Sequence, residues 1–321
     1  MEAGLKSNNI DVKSLLSSYN KKDILEIKKI EFIGVEGKDV YNITAPFQSD
    51  GVEYLAGRVE PREDELNSKV MFFIRKKDAR YTWILDKKAP VFRLQDPFVC
   101  IIDSEIIFGG VRIILVDGEV HHHTVFFRGK NIHDLKKFAR GPDNMKDIRL
   151  VQLPQRMIGL FTRPQGIIGG KGRIGFTRID SLEDLSRFTH EDYFKTLLLC
   201  KDFDDEEWLG ANAAHILKNG LVGVLGHIAC YSKDPMGKIH KNYYPITFAL
   251  DMQSNEPIGI KIIARRDDFP KGQSKIATLQ NVLFAGGFIR HDDGTATVYV
   301  GAGDTESYEI KMKDPFFEYE Y

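Results

Sequence analysis

The sequence predicts an all-β protein: a five-bladed β-propeller behind a short N-terminal extension over residues 1–25. Three observations carry this. Five segments repeat one rhythm: a polar residue beside a small residue or proline, an apolar strand, a Gly, Asp or Asn turn, and a returning strand. They start near Thr44-Ala45-Pro46, Gln95-Asp96-Pro97, Met145-Lys146-Asp147, Gly210-Ala211-Asn212 and Asn281-Val282-Leu283. Their spacing of about 50–70 residues is that of propeller blades rather than solenoid turns. Phe (21) and Tyr (12) are abundant, as strands prefer. Radial blades leave short, protected edges around a central channel. The polar residue opening each inner strand then faces one shared funnel, which gathers Asp96, Asp147, Asn212 and Asp304.

Taken in order, residues 11–20 read as a short helix capped by Asp11. Strands are expected at 27–34, 38–43, 53–60, 69–76, 80–85, 98–102, 105–116 and 120–128. Turns such as Val116-Asp117-Gly118 carry hairpin chemistry. Residues 132–139 and 181–187 read as short helical turns on the outside. Further strands are expected at 148–153, 157–163, 173–178, 212–217, 221–231, 244–251, 258–264, 282–290, 296–301 and 306–312. Residues 202–208 and 232–243 are charged or contain Gly and Pro, and read as surface loops. With no low-complexity tract or linker, a single domain over 1–321 is the simplest account.

Composition narrows the function classes. Hydrophobic residues make up 42% of the chain, enough for a real core, and 45 basic against 46 acidic residues leave a net charge of -1. That balance is not a nucleic-acid footprint, which shows as a basic excess. Three cysteines (Cys100, Cys200, Cys230) lack framework spacing, and no apolar signal opens the chain, so the cytoplasm is the expected location. No apolar run suggests a membrane partner, and nothing specifies an oligomer. No P-loop, dinucleotide glycine fingerprint or zinc spacing occurs, so no cofactor or metal is implied. The run His121-His122-His123 fits a hairpin strand, where neighbours face opposite sides and cannot share one metal.

Several residues can carry chemistry. Asp96 precedes Pro97 at the mouth of an apolar strand. Partial desolvation there would raise its pKa and suit a general acid, while a turn-capping Asp is the plainer account. Arg58 and Glu60 share one face of a strand, as a ligand clamp or as a plain salt bridge. Lys146, Asp147 and Arg163 fall at one end of a hairpin, as an anion or polyol site or as a solvated rim. Trp208 is either a sugar-stacking face or a core anchor. Asn212 opens the fourth segment's strand, and His227 closes its partner as a ligand or a satisfied core histidine. Asp304 follows Gly301-Ala302-Gly303, as a site carboxylate or a turn cap.

These motifs occur in a fixed order: Asp96-Pro97, Lys146-Asp147, Thr162-Arg163-Pro164, Gly210-Ala211-Asn212, Gly226-His227, Tyr244-Pro245-Ile246, Ala249-Leu250-Asp251, Asn281 to Gly287, and Tyr299 to Asp304. Across about residues 40–312 that order resembles the five-bladed propellers of glycoside hydrolase family 130, the β-mannoside phosphorylases and mannosidases. Within that superfamily it is most similar to a bacterial branch, domain of unknown function 1861. The resemblance implies Asp96 as proton donor, and Lys146, Asp147, Arg163, His227 and Asp304 as lining of the ligand site. Gln95 stands where that family has Glu, and Phe98 where it has Arg, which removes a cation from the funnel.

Three functions follow as expectations. The first is a glycosidase acting on a small oligosaccharide, with Asp96 as acid, Asp147 or Asp304 orienting water or sugar, and Arg58, Glu60, Lys146, Arg163, Trp208, Asn212 and His227 binding substrate. The second is a phosphorylase that takes inorganic phosphate as a further partner. The third is a sugar-binding propeller without catalysis. The missing Arg at position 98 tips the expectation toward hydrolysis.

Overall fold

The computed structural model describes residues 10–200 and 203–320. Strands dominate, and among the described residues they form four hydrogen-bonded sheets. The first contains Val52–Glu60, Lys69–Arg75 and Thr82–Leu85, flanked by Glu31–Ile33 and by the short strands Asp39–Tyr41 and Phe47–Ser49. The second is the meander Gln95–Ile102, Glu105–Val116, Glu119–Gly129 and Lys136–Arg140. The third is Arg149–Gln152, Ile158–Thr162, Gly175–Ile179 and Leu197–Leu198. The last has eight strands in two antiparallel halves. One half is Trp208–Ile216, Val222–Lys233, Ile239–Leu250 and Pro257–Ile262. The other is Asn281–Arg290, Thr295–Ala302, Glu306–Lys313 and, from the start of the chain, Ile24–Lys29. A parallel contact of Asn242 and Tyr243 with Asn281 and Val282 joins the halves.

Apolar clusters fill the seams between consecutive sheets and between the two halves of the last one. Phe72 and Phe108 meet between the first and second sheets, Phe126 and Leu160 between the second and third, and Phe176 and Phe248 between the third and the half that follows it. Leu225 and Val300 meet between the halves, and Trp83 and Tyr299 close the seam from last sheet to first. Gln95–Ile102 packs against Val52–Glu60, Arg149–Gln152, Trp208–Ile216 and Asn281–Arg290, so the leading strands gather in one place. Covered on both sides, these strands are near-continuous apolar runs, and the few polar groups among them stand out: from Tyr54 to Glu60 every residue is buried, Arg58 and Glu60 included.

The leading strands share a local device. The pairing register shifts at Asp96-Pro97, at Asn212 and at Gly286. Each shift is a bulge, which bends the strand and re-aims the extra residue. Asn42, Asp96, Asp147 and Asp304 take left-handed backbone angles (φ 48, 47, 60 and 55). Asn and Asp tolerate that region better than other non-glycine residues, so geometry as well as chemistry selects them. At Gly286 an added Cβ would stand 2.0 Å from the Ile43 carbonyl oxygen, which makes this a backbone-to-backbone seam.

The outer elements bring confirmations and corrections. The helix Val12–Ser18 is capped by Asp11, and Leu182–Arg187 is helical behind Ser181. Residues 132–139 are not helical: the Asn131 side chain accepts the backbone N–H of His133 and Asp134 in a tight turn, and Lys136–Arg140 is a strand. The loop expected at 232–243 shrinks, because the hairpin runs on to Lys233 and resumes at Ile239. Its ends are solvated, so they lack the apolar alternation that marks a strand. The inner strand expected from 212 begins at Trp208, and the one expected from 98 begins at Gln95. Residues 1–9, part of the expected extension, lie outside the described residues. No helix among the described residues is long and apolar enough to cross a membrane.

Gly286→Ala is expected to lower the unfolding free energy by about 3 kcal/mol, because backbone cannot yield to a methyl group as a side chain can. Urea unfolding at neutral pH checks this, and an unchanged midpoint would show that the seam is looser than described.

Candidate functional site

The site has two halves, and Arg58 organises the first. Its side chain projects from Val52–Glu60 with the guanidinium 4.8 Å from the Tyr41 ring centroid. Nε donates to Glu60 Oε2 at 3.0 Å, Nη1 to Asp96 Oδ1 at 3.2 Å and Nη2 to Glu65 Oε1 at 3.0 Å. Glu60 is fully spent: Tyr41 Oη donates to it at 2.6 Å, and Ser68 Oγ and Lys275 Nζ donate as well. The salt-bridge reading of Arg58 and Glu60 therefore holds. Glu60, 1% exposed, has no oxygen left for substrate and serves to position Arg58.

Asp96 Oδ1 also accepts from Asn42 Nδ2 at 2.7 Å, while its other oxygen takes no hydrogen bond from a described residue. Burial pushes this carboxyl up, but Arg58, Lys146 and the Asn42 amide outweigh it and hold it below the usual carboxylate range. The expected upward shift of Asp96 is thus reversed. Asp304 carries the upward shift instead. Burial, against Arg58 and with the help of neighbouring Asp96, pushes it up to about 6.

Asp147 organises the second half. Arg163 Nη1 donates to its Oδ2 at 2.9 Å and uses Nε on the Leu209 carbonyl at 2.8 Å. Burial opposes the Asp147 charge, yet Arg163 and the cations behind it hold the carboxyl far below its ordinary range. Asn212 donates Nδ2 to the Ala285 carbonyl at 2.7 Å, so its Oδ1 must accept, and His227 Nδ1 lies 2.8 Å from it. That places the imidazole proton on Nδ1 and leaves Nε2 a bare acceptor. Burial pushes His227 down to about 3, so the ring is neutral at pH 7. His227 Nε2 and Asp147 Oδ1 are both buried and have no hydrogen-bond partner among the described residues. Gly210 keeps this corner open, since a Cβ there would stand 2.5 Å from His227 Cε1 and 3.0 Å from Asp147 Oδ2.

Lys146 lies between the halves. Burial works against its charge, but Tyr243, Asp147 and Asp96 more than offset that and hold its pKa above the ordinary value. Its ammonium makes no hydrogen bond or ion pair with a described residue. Trp208 corrects an expectation: it is 5% exposed and donates Nε1 to Tyr243 Oη at 2.9 Å. It backs Tyr243, whose ring stacks on His227 at 5.1 Å, and presents no face to a sugar.

Sequence reasoning missed Asn42, Lys275, Glu65, Tyr243 and Arg149. Arg149 donates to the Asn212 and Ile148 carbonyls and lies 4.5 Å over the Phe98 ring, so a guanidinium returns beside the position where Phe98 had removed one. Asn42 was detectable, because Asn42-Ile43-Thr44 opens the first segment as Asp96 and Asp147 open theirs.

Packed sheets whose leading strands deliver charged groups to one shared centre define a propeller-like β protein with a polar central site. The chain belongs to the family described as Protein of unknown function (DUF1861), whose model matches residues 17–318. Among solved structures it is similar to a mannose phosphorylase from Leishmania mexicana in complex with phosphate ion (TM-score 0.88, 32% identity, 96% of this chain and 95% of that chain). It is also similar to a GDP-Man-dependent mannosyltransferase from Leishmania mexicana (TM-score 0.84, 30% identity, 96% and 95%). A β-1,2-mannobiose phosphorylase from Listeria innocua shares the fold at TM-score 0.60 and 16% identity, over 89% and 93% of the chains. No curated protein matches the sequence.

The opposite shifts of Asp304 and Asp147 predict opposite stability slopes. Asp304 binds its proton more tightly folded than unfolded, so its contribution is full below about pH 4 and is lost as pH rises through about 6. Asp147 behaves conversely, and its contribution is lost as pH falls below about 4. Asp304→Asn should therefore match the parent at about pH 4 and exceed its stability at pH 7 by about 1–3 kcal/mol. Urea unfolding at both pH values measures this, and equal stability at pH 7 would count against the raised pKa of Asp304.

Proposed function

We propose that this chain is a carbohydrate-active enzyme, a single five-bladed propeller that cleaves a small mannoside with inorganic phosphate as the acceptor. The six-stranded first sheet, the two four-stranded sheets and the two halves of the eight-stranded sheet would be the five blades. The observation that carries the reading is a buried carboxyl, Asp96, held on the Arg58 guanidinium and near enough to Asp304 to raise that residue's proton affinity, beside the ammonium of Lys146, which bonds no described residue. Carboxyls of such unequal proton affinity are suited to different acid–base roles. The similarity to a mannose phosphorylase at 32% identity supports the choice of sugar and acceptor.

In this mechanism a phosphate oxygen attacks the anomeric carbon as the bond to the leaving oxygen breaks. The departing electron pair takes a proton from the free oxygen of Asp96, which must first receive it from solvent or from the more basic Asp304, and solvent later restores it. Lys146 balances phosphate charge. Asp147 and His227 hold sugar hydroxyls, because both present buried acceptor atoms that take no hydrogen bond from a described residue, which suits a ligand that supplies O–H groups. Asn212, Arg163 and Glu60 position these groups rather than touching sugar. Hydrolysis is the second reading, favoured by the tying of the Arg149 guanidinium to backbone carbonyls. The three free cysteines accord with a reducing, cytoplasmic setting.

The test is product analysis with mannobiose as phosphate is titrated from zero. The expected result is a phosphate-dependent rate with mannose 1-phosphate as product. A rate indifferent to phosphate would make hydrolysis correct, and binding without turnover would leave a sugar-binding propeller. Asp96→Asn should lower kcat by about two to four orders of magnitude while mannobiose still binds. Unchanged kcat would remove Asp96 from the mechanism.

A further inference from the structure

Glu65 breaks the pattern of the Arg58 half. Arg58 and Lys275 are nearly closed off from solvent, with side chains 5% and 11% exposed, whereas the Glu65 side chain is 60% exposed. It reaches in from the rim, with Oε1 3.0 Å from Arg58 Nη2 and Oε2 3.7 Å from Lys275 Nζ. One carboxylate thus spans two inward cations while facing water. Glu60, on the same cations, is buried and fixed by four protein donors.

The segment carrying Glu65 is a single helical turn, Glu65–Asn67, capped by Asp64. Gln95 seats it: Nε2 donates to the Glu65 carbonyl at 3.1 Å and to Ser68 Oγ at 3.2 Å. A glutamate at position 95 would have no N–H to give. The departure of Gln95 from the resembled family's pattern therefore has a physical role, which is to hold the Glu65 turn over Arg58. Across the opening, Arg62 Nη1 donates to Gln273 Oε1 at 2.5 Å, and Lys275 is anchored by its backbone N–H on the Gly303 carbonyl at 2.8 Å.

We propose that Glu65 is a tethered counterion, seated by Gln95, that occupies the Arg58–Lys275 cation pair until the phosphate group of a ligand displaces it. The inference rests on the phosphate reading above and names the residue that sets phosphate affinity. A carboxylate and a phosphate compete for the same two donors, and a side chain so exposed gives up little on leaving, since ion pairs open to water are weak. The Arg58 bonds to Glu60 and Asp96 stay in place during the exchange, so the cation remains aimed.

The experiment is calorimetric titration of the full chain with inorganic phosphate and, separately, with mannose 1-phosphate, which distinguishes a free phosphate from a sugar ester. Glu65→Gln should tighten phosphate binding about five- to tenfold, and Gln95→Leu should tighten it by a smaller factor. Lys275→Met should weaken binding and cancel the gain when combined with Glu65→Gln. Affinity unchanged or reduced in Glu65→Gln, a gain that survives Lys275→Met, or no phosphate binding by any variant would each overturn the proposal. Turnover of mannobiose by the parent protein is read separately. Mannose 1-phosphate formation with no Glu65 effect on affinity sinks only this inference, while tighter phosphate binding without turnover sinks only phosphorolysis.

Discussion

A guanidinium buried among carboxylates is the constraint on which the centre of this protein depends. Arg58 is 4% exposed and bonds Glu60, Asp96 and Glu65 at once. Removing one partner of a buried charge costs about 3–5 kcal/mol, because the other is stranded away from water. Each neighbour is held in turn. Tyr41, Ser68 and Lys275 fill Glu60, and Asn42 fixes Asp96. These partners come from segments more than 200 residues apart in sequence, as Lys275 and Glu60 show (|i−j| = 215). The first and last sheets are therefore joined by charge at the centre as well as by the apolar seam around Trp83 and Tyr299.

The two halves of the site differ in freedom. Around Asp147 every supporting group is committed to backbone: Arg163 to Leu209, Arg149 to Ile148 and Asn212, and Asn212 to Ala285. Carbonyls of a rigid strand cannot move, so this half holds a fixed shape and a fixed protonation state, with His227 neutral and Asp147 charged. The Arg58 half has an oxygen of Asp96 without a donor, a proton on Asp304 that leaves near neutrality, and an exposed carboxylate at its rim. On the function proposed above, the first kind of environment would read substrate shape, and the second would exchange protons and anions.

Much of this was legible before the structure. The strand rhythm located most strands, though not Phe47–Ser49, Lys136–Arg140 or Leu197–Leu198, and its polar openings singled out Asp96, Asp147, Asn212 and Asp304, of which the three aspartates take left-handed angles that Asn and Asp tolerate. The same rule reaches Asn42. What stayed hidden depends on sums over space. The sign of the Asp96 shift follows from how many cations surround it, and those come from other sheets. Trp208 near a polar group reads the same whether the indole faces a sugar or Tyr243. Glu65 sits in a charged loop like any solvated turn, and only its place between Arg58 and the sequence-distant Lys275 marks it out. At 132–139 local side-chain bonds from Asn131 replaced the expected helix, a competition that periodicity does not register.

The pairing of Ile24–Lys29 with Glu306–Lys313 bears on how the chain comes to be assembled. The first of the described strands must wait for the last of them, so this pairing closes only after every strand between them has been made. Until then the final seam lies open, with Leu283, Val298 and Ile310 short of their full cover. Contacts of such long sequence separation form slowly, and unpaired strand edges invite association with other chains. A chain of this design is therefore most exposed to association until that pairing forms, and the strand pair acts as a clasp that ends the exposure.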